Sequence, residues 1–292
     1  MVDLTDLRGA MCGRFLAELG ADVTAVRRPG HRVPRALAVA DRYRNAGKTV
    51  VDLDPATPGG RNRLEGLLAA ADVLVENLTA AERAAAGLDP DDVAARHPTL
   101  VHVAMADFGL TGPRSPWRLD PLTAQAAGGT LFASGFPDRA PCWFPGFLGP
   151  DCASVYGFVG AAAAMLDRAR HGRGQLVEIS VQEAALAGTN PWSVAIHDYL
   201  KINPFLPAEG RRNADGYYWV LPAKDGWVRT VIGNDKQWRG FVKLLGEPEV
   251  LMAPEWSEAI YRRMNGDVVR LVASDLLADR TRAELFEQAL EV

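Results

Sequence analysis

Lysine is scarce in this chain. Only Lys48, Lys201, Lys224, Lys236 and Lys243 occur among 32 basic residues, so nearly all the positive charge is arginine, a bias that together with abundant alanine reads as genomic composition. With 36 acidic residues the net charge is -4, which provides no global positive field to recruit nucleic acid or an anionic membrane. Cysteine is also rare. Cys12, Cys142 and Cys152 cannot form a closed disulfide set and lack the paired spacing of a zinc site, which points to a reducing compartment. Long apolar runs are missing, since the stretch Val155 to Leu166 is too short to cross a bilayer. The segment Met1 to Asp6 carries acids where a signal peptide needs basic residues. The expected location is therefore the cytoplasm, with no membrane partner.

Histidines are few and scattered. His31, His97, His102, His171 and His197 fall in unrelated segments, no two at ligand spacing, so no metal is expected. No Gly-x-Ser-x-Gly elbow occurs, and Gly9-Ala10-Met11-Cys12-Gly13 has too few glycines at the wrong spacing for a dinucleotide fingerprint.

What is present is an ordinary globular balance over 292 residues, 48 % hydrophobic and 23 % charged, which suits one or two domains and excludes disorder and coiled coil. Residues 1 to 105 alternate short β-rich runs with amphipathic stretches. Val2 to Thr5, Asp22 to Val26, Thr49 to Leu53, Asp72 to Glu76 and Leu100 to Ala104 read as strands; Met11 to Leu19, Pro58 to Ala71 and a short run from Ala80 read as helices. Such alternation predicts an α/β fold with a doubly wound, mainly parallel, Rossmann-like sheet, whose ligands bind beyond the carboxyl ends of the strands. From Asp107 to Asp151 glycine and proline dominate, as in a segment that frames a site. Cys152 to Arg168 then reads as a buried helix, followed by a strand over Gln175 to Ser180 and a helix over Val181 to Ala187. Tyr217 to Leu221 and Trp227 to Ile232, around Lys224-Asp225-Gly226, read as a β-hairpin, with helices over 235–246, 255–264, 267–278 and 281–291. The expected organisation is a large domain over 1–190, a linker over 191–207 and a smaller α+β domain over 208–292.

Several residues could carry chemistry, each with a plainer role beside it. Arg27 and Arg28 follow a strand at the ligand-facing edge, where guanidinium forks suit phosphate oxygens; the plainer role is a solvated turn. Asn77 ends another strand and could grip an amide-rich ligand arm, or simply cap the next helix. Asp151, directly ahead of the buried helix, would stay ionised in the field of its N-terminus and could attack a carbonyl; otherwise it is an N-cap. Asp120, before Pro121, is a turn-stabilising residue or a second carboxylate of the same region.

The ordered motifs Asp3-Leu4-Thr5, Leu19-Gly20-Ala21-Asp22-Val23, Pro29-Gly30, Asn45-x-Gly47-Lys48, Ala71 to Asn77, Phe108-Gly109-x-x-Gly112-Pro113, Gln125-Ala126-x-Gly128-Gly129 and Gly172-Arg173-Gly174-Gln175 resemble the class III coenzyme A transferases, the formyl-CoA transferase and carnitine CoA-transferase group. The resemblance covers residues 1 to 190 and, more loosely, the part after 208. It implies a large doubly wound domain, a small domain and an interlocked dimer. It also implies transfer of CoA between carboxylic acids through an aspartyl anhydride and an aspartyl-CoA thioester. By motif position Arg28, Leu53, Asn77 and Leu78 match the CoA-binding surface and Asp151 is the candidate nucleophile. CoA or an acyl-CoA is then a substrate, with no tightly bound cofactor and no metal, and a small carboxylic acid is the other partner. Trp143, Phe144 and Phe147, in the loop from Phe132 to Phe147, suggest an apolar or aromatic acid.

Departures from the family pattern open other readings. Counting back from Gly172-Arg173-Gly174 without a gap puts Pro150 on the catalytic position and Asp151 one residue beyond it. The family's Arg-Pro-Gly after the Glu-Asn-aromatic motif is Thr79-Ala80-Ala81, and its aromatic is Leu78. The family's chain also returns from the small domain to the large one, whereas this sequence stops at Val292, as a natural short form, one half of a hetero-oligomer, or a fragment would. A non-catalytic CoA-binding or scaffold subunit is therefore a second reading, with a homodimer or a hetero-oligomer as the assembly. A third is a 2-methylacyl-CoA racemase, which needs a histidine where Leu119 stands.

Overall fold

The computed structural model describes residues 1–135, 139–189 and 218–292. These residues form two compact units, one ahead of residue 211 and one after it. The expected linker over 191–207 and the domain start at 208 lie outside the described residues.

The first unit is built on six parallel strands, β1 (Val2–Leu4), β2 (Thr24–Arg27), β3 (Thr49–Asp52), β4 (Val73–Glu76), β5 (Val101–Ala106) and β6 (Leu176–Ser180), in the order β3-β2-β1-β4-β5-β6. Strands β1, β4 and β5 are buried along their whole length, as central strands covered on both faces must be, and each carries one buried polar residue among apolar ones, Asp3, Glu76 and His102. The edge strand β3 is largely exposed. Helices α1 (Ala10–Glu18), α2 (Ala38–Arg44), α3 (Pro58–Ala69), α4 (Ala80–Ala86) and α5 (Pro90–Arg96) link the first five strands; α6 (Pro121–Ala127), α7 (Thr130–Ala133), α8 (Leu148–His171) and α9 (Val181–Thr189) follow. Chain order reverses between β1 and β4. In a doubly wound sheet that crevice is where ligands bind.

Local sequence explains most boundaries. Thr57 caps α3 by accepting the Gly60 N–H at 3.1 Å, with Pro58 at the first helical position. Thr79 and Glu82 form a reciprocal capping box on α4, and Asp120 forms another with Thr123 on α6. Asp120 is thus a helix cap and Asn77 is not one; Thr79 does that work for α4. Gly172 ends α8 at φ 75°, a left-handed conformation that glycine adopts without a Cβ penalty.

Two expectations need correction. The helix read as starting at Cys152 begins at Leu148, so Asp151 lies inside its first turn instead of ahead of it. Pro150 had suggested loop, but a proline in the first turn sacrifices only an N–H that has no partner there anyway. That helix is also not buried on most faces. Ala153, Gly157, Ala161 and Ala164 pack inward, while Val155, Val159 and Leu166 are exposed.

The second unit pairs β7 (Tyr218–Ala223) and β8 (Gly226–Val231) as an antiparallel hairpin closed through Ala223 and Gly226. Helices α10 (Asp235–Leu244), α11 (Ala259–Met264), α12 (Gly266–Leu277) and α13 (Arg282–Leu290) complete it. Trp219, Leu221, Trp238, Phe241, Trp256 and Val269 form its core, and the Trp219 indole donates to the Gly266 carbonyl at 3.2 Å. This is the expected α+β arrangement.

Candidate active site at the carboxyl edge of the sheet

Two clefts open where the strands of the first unit end. The first lies beyond β1, β2 and β3 and is lined by Leu4, Val26, Arg28, Leu53, Pro55, Ala56, Leu78, Glu82 and Ala86. Three of the residues assigned to CoA binding from the sequence, Arg28, Leu53 and Leu78, therefore share one cavity. Its wall is mostly aliphatic. At its mouth Arg28 Nη2 meets Glu82 Oε1 at 3.0 Å, while Glu82 Oε2 accepts the Thr79 N–H at 3.0 Å. Partial burial pushes the Glu82 carboxyl up, but the Thr79 hydrogen bonds and the Arg28 charge outweigh that and hold it below the usual glutamate range.

The second cleft, a shallow one, sits at the β1/β4 switch point between Arg8, Gly9, Asn77, Met105, Asp107, Pro150, Ala153 and Val181. Asn77, the fourth residue assigned to CoA binding, lines this one. Its amide is locked on Asp6: Asn77 Nδ2 donates to Asp6 Oδ1 at 2.6 Å and the Asp6 N–H donates to Asn77 Oδ1 at 2.9 Å. Arg8 donates through Nε to Asp6 Oδ2 at 2.9 Å and through Nη1 to the Leu119 carbonyl at 2.8 Å. Burial works against the Arg8 charge, yet Asp6 and Asp107 more than offset it and raise its affinity for the proton. Asp107 Oδ2 accepts from the Leu119 N–H at 3.1 Å and from Arg118 at 3.3 Å. Nothing in the sequence marks Asp107 except its place right after β5. Leu119, where a racemase would need histidine, is buried against Ala124, Ala153 and Val181.

Asp151 lies in the first turn of α8, next to Pro150, with its side chain 39 % exposed. Its carboxylate faces Arg44, the last residue of α2. Arg44 Nη1 is 2.6 Å from Oδ1, and Nη2 donates to Oδ2 at 2.8 Å. The guanidinium itself stacks 4.4 Å from the Phe147 ring centroid and also donates to the Leu7 carbonyl at 3.3 Å. Pro150, not Asp151, lines the second cleft.

A buried pair braces β1 against α1. Lys48 Nζ donates to Asp3 Oδ2 at 2.7 Å, to the Ala10 carbonyl at 2.6 Å and to Asn45 Oδ1 at 3.1 Å. Gly13 on α1 leaves room for that pair, because a Cβ there would lie 2.2 Å from Asp3 Oδ2. Among the described residues no group of three or more His, Cys, Asp or Glu side chains could hold a metal ion, and no helix is long and apolar enough to cross a membrane.

Six parallel strands in this order, with a cleft at the switch point, define a doubly wound α/β protein. Residues 2–291 match CoA-transferase family III, and the chain belongs to that family. It is 31 % identical to a probable CoA-transferase of Mycobacterium tuberculosis over 98 % of this chain and 38 % of that protein. It is 27 % identical to the succinyl-CoA–D-citramalate CoA-transferase of Chloroflexus aurantiacus, over 86 % of this chain and 64 % of that protein. A formyl-CoA:oxalate CoA-transferase of Escherichia coli is also 27 % identical, over 90 % of this chain and 70 % of that protein. The chain thus spans less than two thirds of the length of the first two. Among solved structures, a CAIB/BAIF family protein from Brucella suis superposes with a TM-score of 0.80 at 24 % identity, covering 99 % of this chain and 80 % of the other. A hypothetical protein of Mycobacterium tuberculosis does so with a TM-score of 0.81 at 24 % identity, covering 100 % and 80 % respectively. The doubly wound fold expected from the strand and helix pattern is the one these structures share.

Proposed function

We propose that this chain binds a coenzyme A thioester along the carboxyl edge of its sheet and serves the transfer of CoA between carboxylic acids. The supporting observation is the convergence of Arg28, Leu53 and Leu78 on one cleft with Asn77 in the next, in a chain of CoA-transferase family III. In this reading the aliphatic cleft takes the uncharged part of the nucleotide and the switch-point cleft takes the acyl end.

Asp151 is the candidate nucleophile. Its carboxylate oxygen would attack the thioester carbonyl, the C–S bond would break, and CoA would leave as thiolate with an acyl-aspartyl anhydride formed. The thiolate would then attack the aspartyl carbonyl, expelling the donor acid and forming an aspartyl-CoA thioester. The acceptor carboxylate would repeat the sequence in reverse. Arg44 fixes the orientation of the Asp151 carboxylate, and the exchange requires that one oxygen leave this pair to reach the acyl group. Incubation with a panel of acyl-CoA donors and free acids tests the reading. New acyl-CoA should form with wild-type protein and not with Asp151→Asn.

One observation favours a second reading, a CoA-binding subunit without chemistry of its own. Pro150 occupies the cleft wall while Asp151 is held by Arg44. That reading expects CoA binding that is unchanged in Asp151→Asn and no turnover by the purified chain. A homodimer or a hetero-oligomer with a related subunit belongs to both readings, as does an intracellular setting, and light scattering over a dilution series tests the assembly.

A further inference from the structure

Strand β4 ends on Glu76, and the two residues after it serve different clefts. Asn77 lines the switch-point cleft and Leu78 the aliphatic one, so the bend after β4 forms part of both walls. The Glu76 side chain is fully buried and takes no part in the chemistry proposed above. Its Oε2 accepts the Leu78 N–H at 2.6 Å, and its Oε1 accepts Arg83 Nε at 2.8 Å. Arg83, itself buried on α4, donates from Nη2 to the Leu78 carbonyl at 3.1 Å and to Glu76 Oε2 at 3.3 Å. One ion pair therefore holds both polar groups of the Leu78 backbone. His102 on β5 faces the same carboxylate, with Nε2 3.4 Å from Glu76 Oε1.

The plainer role for such a pair is to dock α4 on the sheet. That helix already has its own start and stop, the Thr79–Glu82 box and Gly87 at φ 69°. A buried ion pair also gains little over apolar packing of the same volume, because both charges must leave water. We infer that Glu76 is a positioning residue for the ligand-binding edge, acting with Arg83 on the Leu78 backbone to hold Leu78 in one cleft wall and Asn77 in the other before a ligand arrives. The inference rests on the proposal that a coenzyme A thioester occupies these clefts. The Asn77–Asp6 bonds fix the Asn77 side chain and leave the Leu78 backbone to Glu76 and Arg83. Without the carboxylate the bend samples other backbone conformations, and binding then carries the cost of ordering it.

Two variants test the pair. Glu76→Gln keeps the side-chain length and an oxygen for the Leu78 N–H while removing the charge that holds Arg83, and Arg83→Lys keeps the charge but lacks the fork that reaches Glu76 and Leu78 at once. Val93→Ala, in the core of the same unit and lining neither cleft, is the control for lost stability. Titration calorimetry with coenzyme A reads binding, and hydrogen exchange of the peptide spanning 76–80 reads the order of the bend. Both pair variants should weaken coenzyme A binding about tenfold and speed exchange at Leu78, while Val93→Ala lowers the urea midpoint and leaves the dissociation constant within about twofold of wild type. If Glu76→Gln does not fold, Arg83→Lys alone decides; if neither folds, the pair is structural and the inference falls. Coenzyme A bound by a folded pair variant as tightly as by wild type would overturn the inference and leave the proposed site standing. A loss of affinity in Val93→Ala equal to theirs would also overturn it, since lost stability would account for both. No binding by wild type would overturn the proposed site and the inference with it.

Discussion

Arg44 and Asp151 face each other across two short contacts, 2.6 Å from Nη1 to Oδ1 and 2.8 Å from Nη2 to Oδ2, joining the end of α2 to the first turn of α8. Arg44 is nearly buried and lies over Phe147, whereas Asp151 keeps one side open. The pair is therefore both a structural tie and the immediate environment of the candidate nucleophile. A urea-denaturation double-mutant cycle over Arg44→Met and Asp151→Asn should return a coupling of about 1–2 kcal/mol, less than a fully buried pair because Asp151 is partly solvated. Additive single effects would show that the tie does not form in solution.

The Asp3–Lys48 pair is a different case, because both side chains are almost completely buried. Removing one partner leaves an uncompensated charge in the core. Lys48→Met should destabilise the first unit by roughly 3 kcal/mol, read as a lower urea midpoint. Gly13→Ala should act through the same pair, since its new Cβ would displace Asp3. If Gly13→Ala melts like wild type, the close packing of α1 on β1 is wrong.

Thiol labelling should separate the three cysteines. Burial and the nearby Asp3 charge push the Cys12 thiol well above its ordinary value against the pull of Lys48, and burial followed by Asp151 raises that of Cys152. Cys142 is exposed. A maleimide at neutral pH should label Cys142 first, Cys152 slowly and Cys12 only on unfolding. Peptide mapping reads the order, and early labelling of Cys12 would contradict its burial.

The capping box on α4 gives a pH dependence with a definite sign. The Glu82 carboxyl is held below its unfolded value, so its contribution is fully present above the ordinary glutamate range and is lost as pH falls through the lower folded value. Thr79→Ala should cost about 1 kcal/mol at neutral pH and less in acid, where the wild type has already lost the Glu82 charge. A penalty for Thr79→Ala independent of pH would show that the hydroxyl cap alone matters.

The parallel sheet is legible in the sequence because short, mostly apolar β-rich runs alternate with helical stretches from Val2 to Ala106, and Thr57, Thr79 and Asp89 cap three of those helices. Helices α2 and α5 were missed: α2 carries polar residues around most of its surface, and α5 is only Pro90–Arg96, too short for a period to show. Helix α6 was hidden in a segment whose glycines and prolines read as loop, although Asp120-Pro121 is a helix-start signal. Of the candidate site, the sequence shows motif positions and not their contacts. Motif position grouped Arg28, Leu53 and Leu78, and the structure brings them to one cleft. The Glu82, Asp107 and Arg44 partners were not visible, because each meets its residue across 54, 11 and 107 positions of chain and only the folded sheet brings them together.

The most direct test of the proposed chemistry is intact-mass and peptide-level mass spectrometry of the protein after incubation with acyl-CoA donors, quenched in parallel with hydroxylamine and with borohydride. The expected result is a hydroxamate or a reduced side chain at Asp151 in wild-type protein, absent when acyl-CoA is left out and absent in Asp151→Asn. An unmodified Asp151 across a broad donor panel, in protein that still binds CoA, would contradict the transferase reading and leave the non-catalytic CoA-binding subunit in its place.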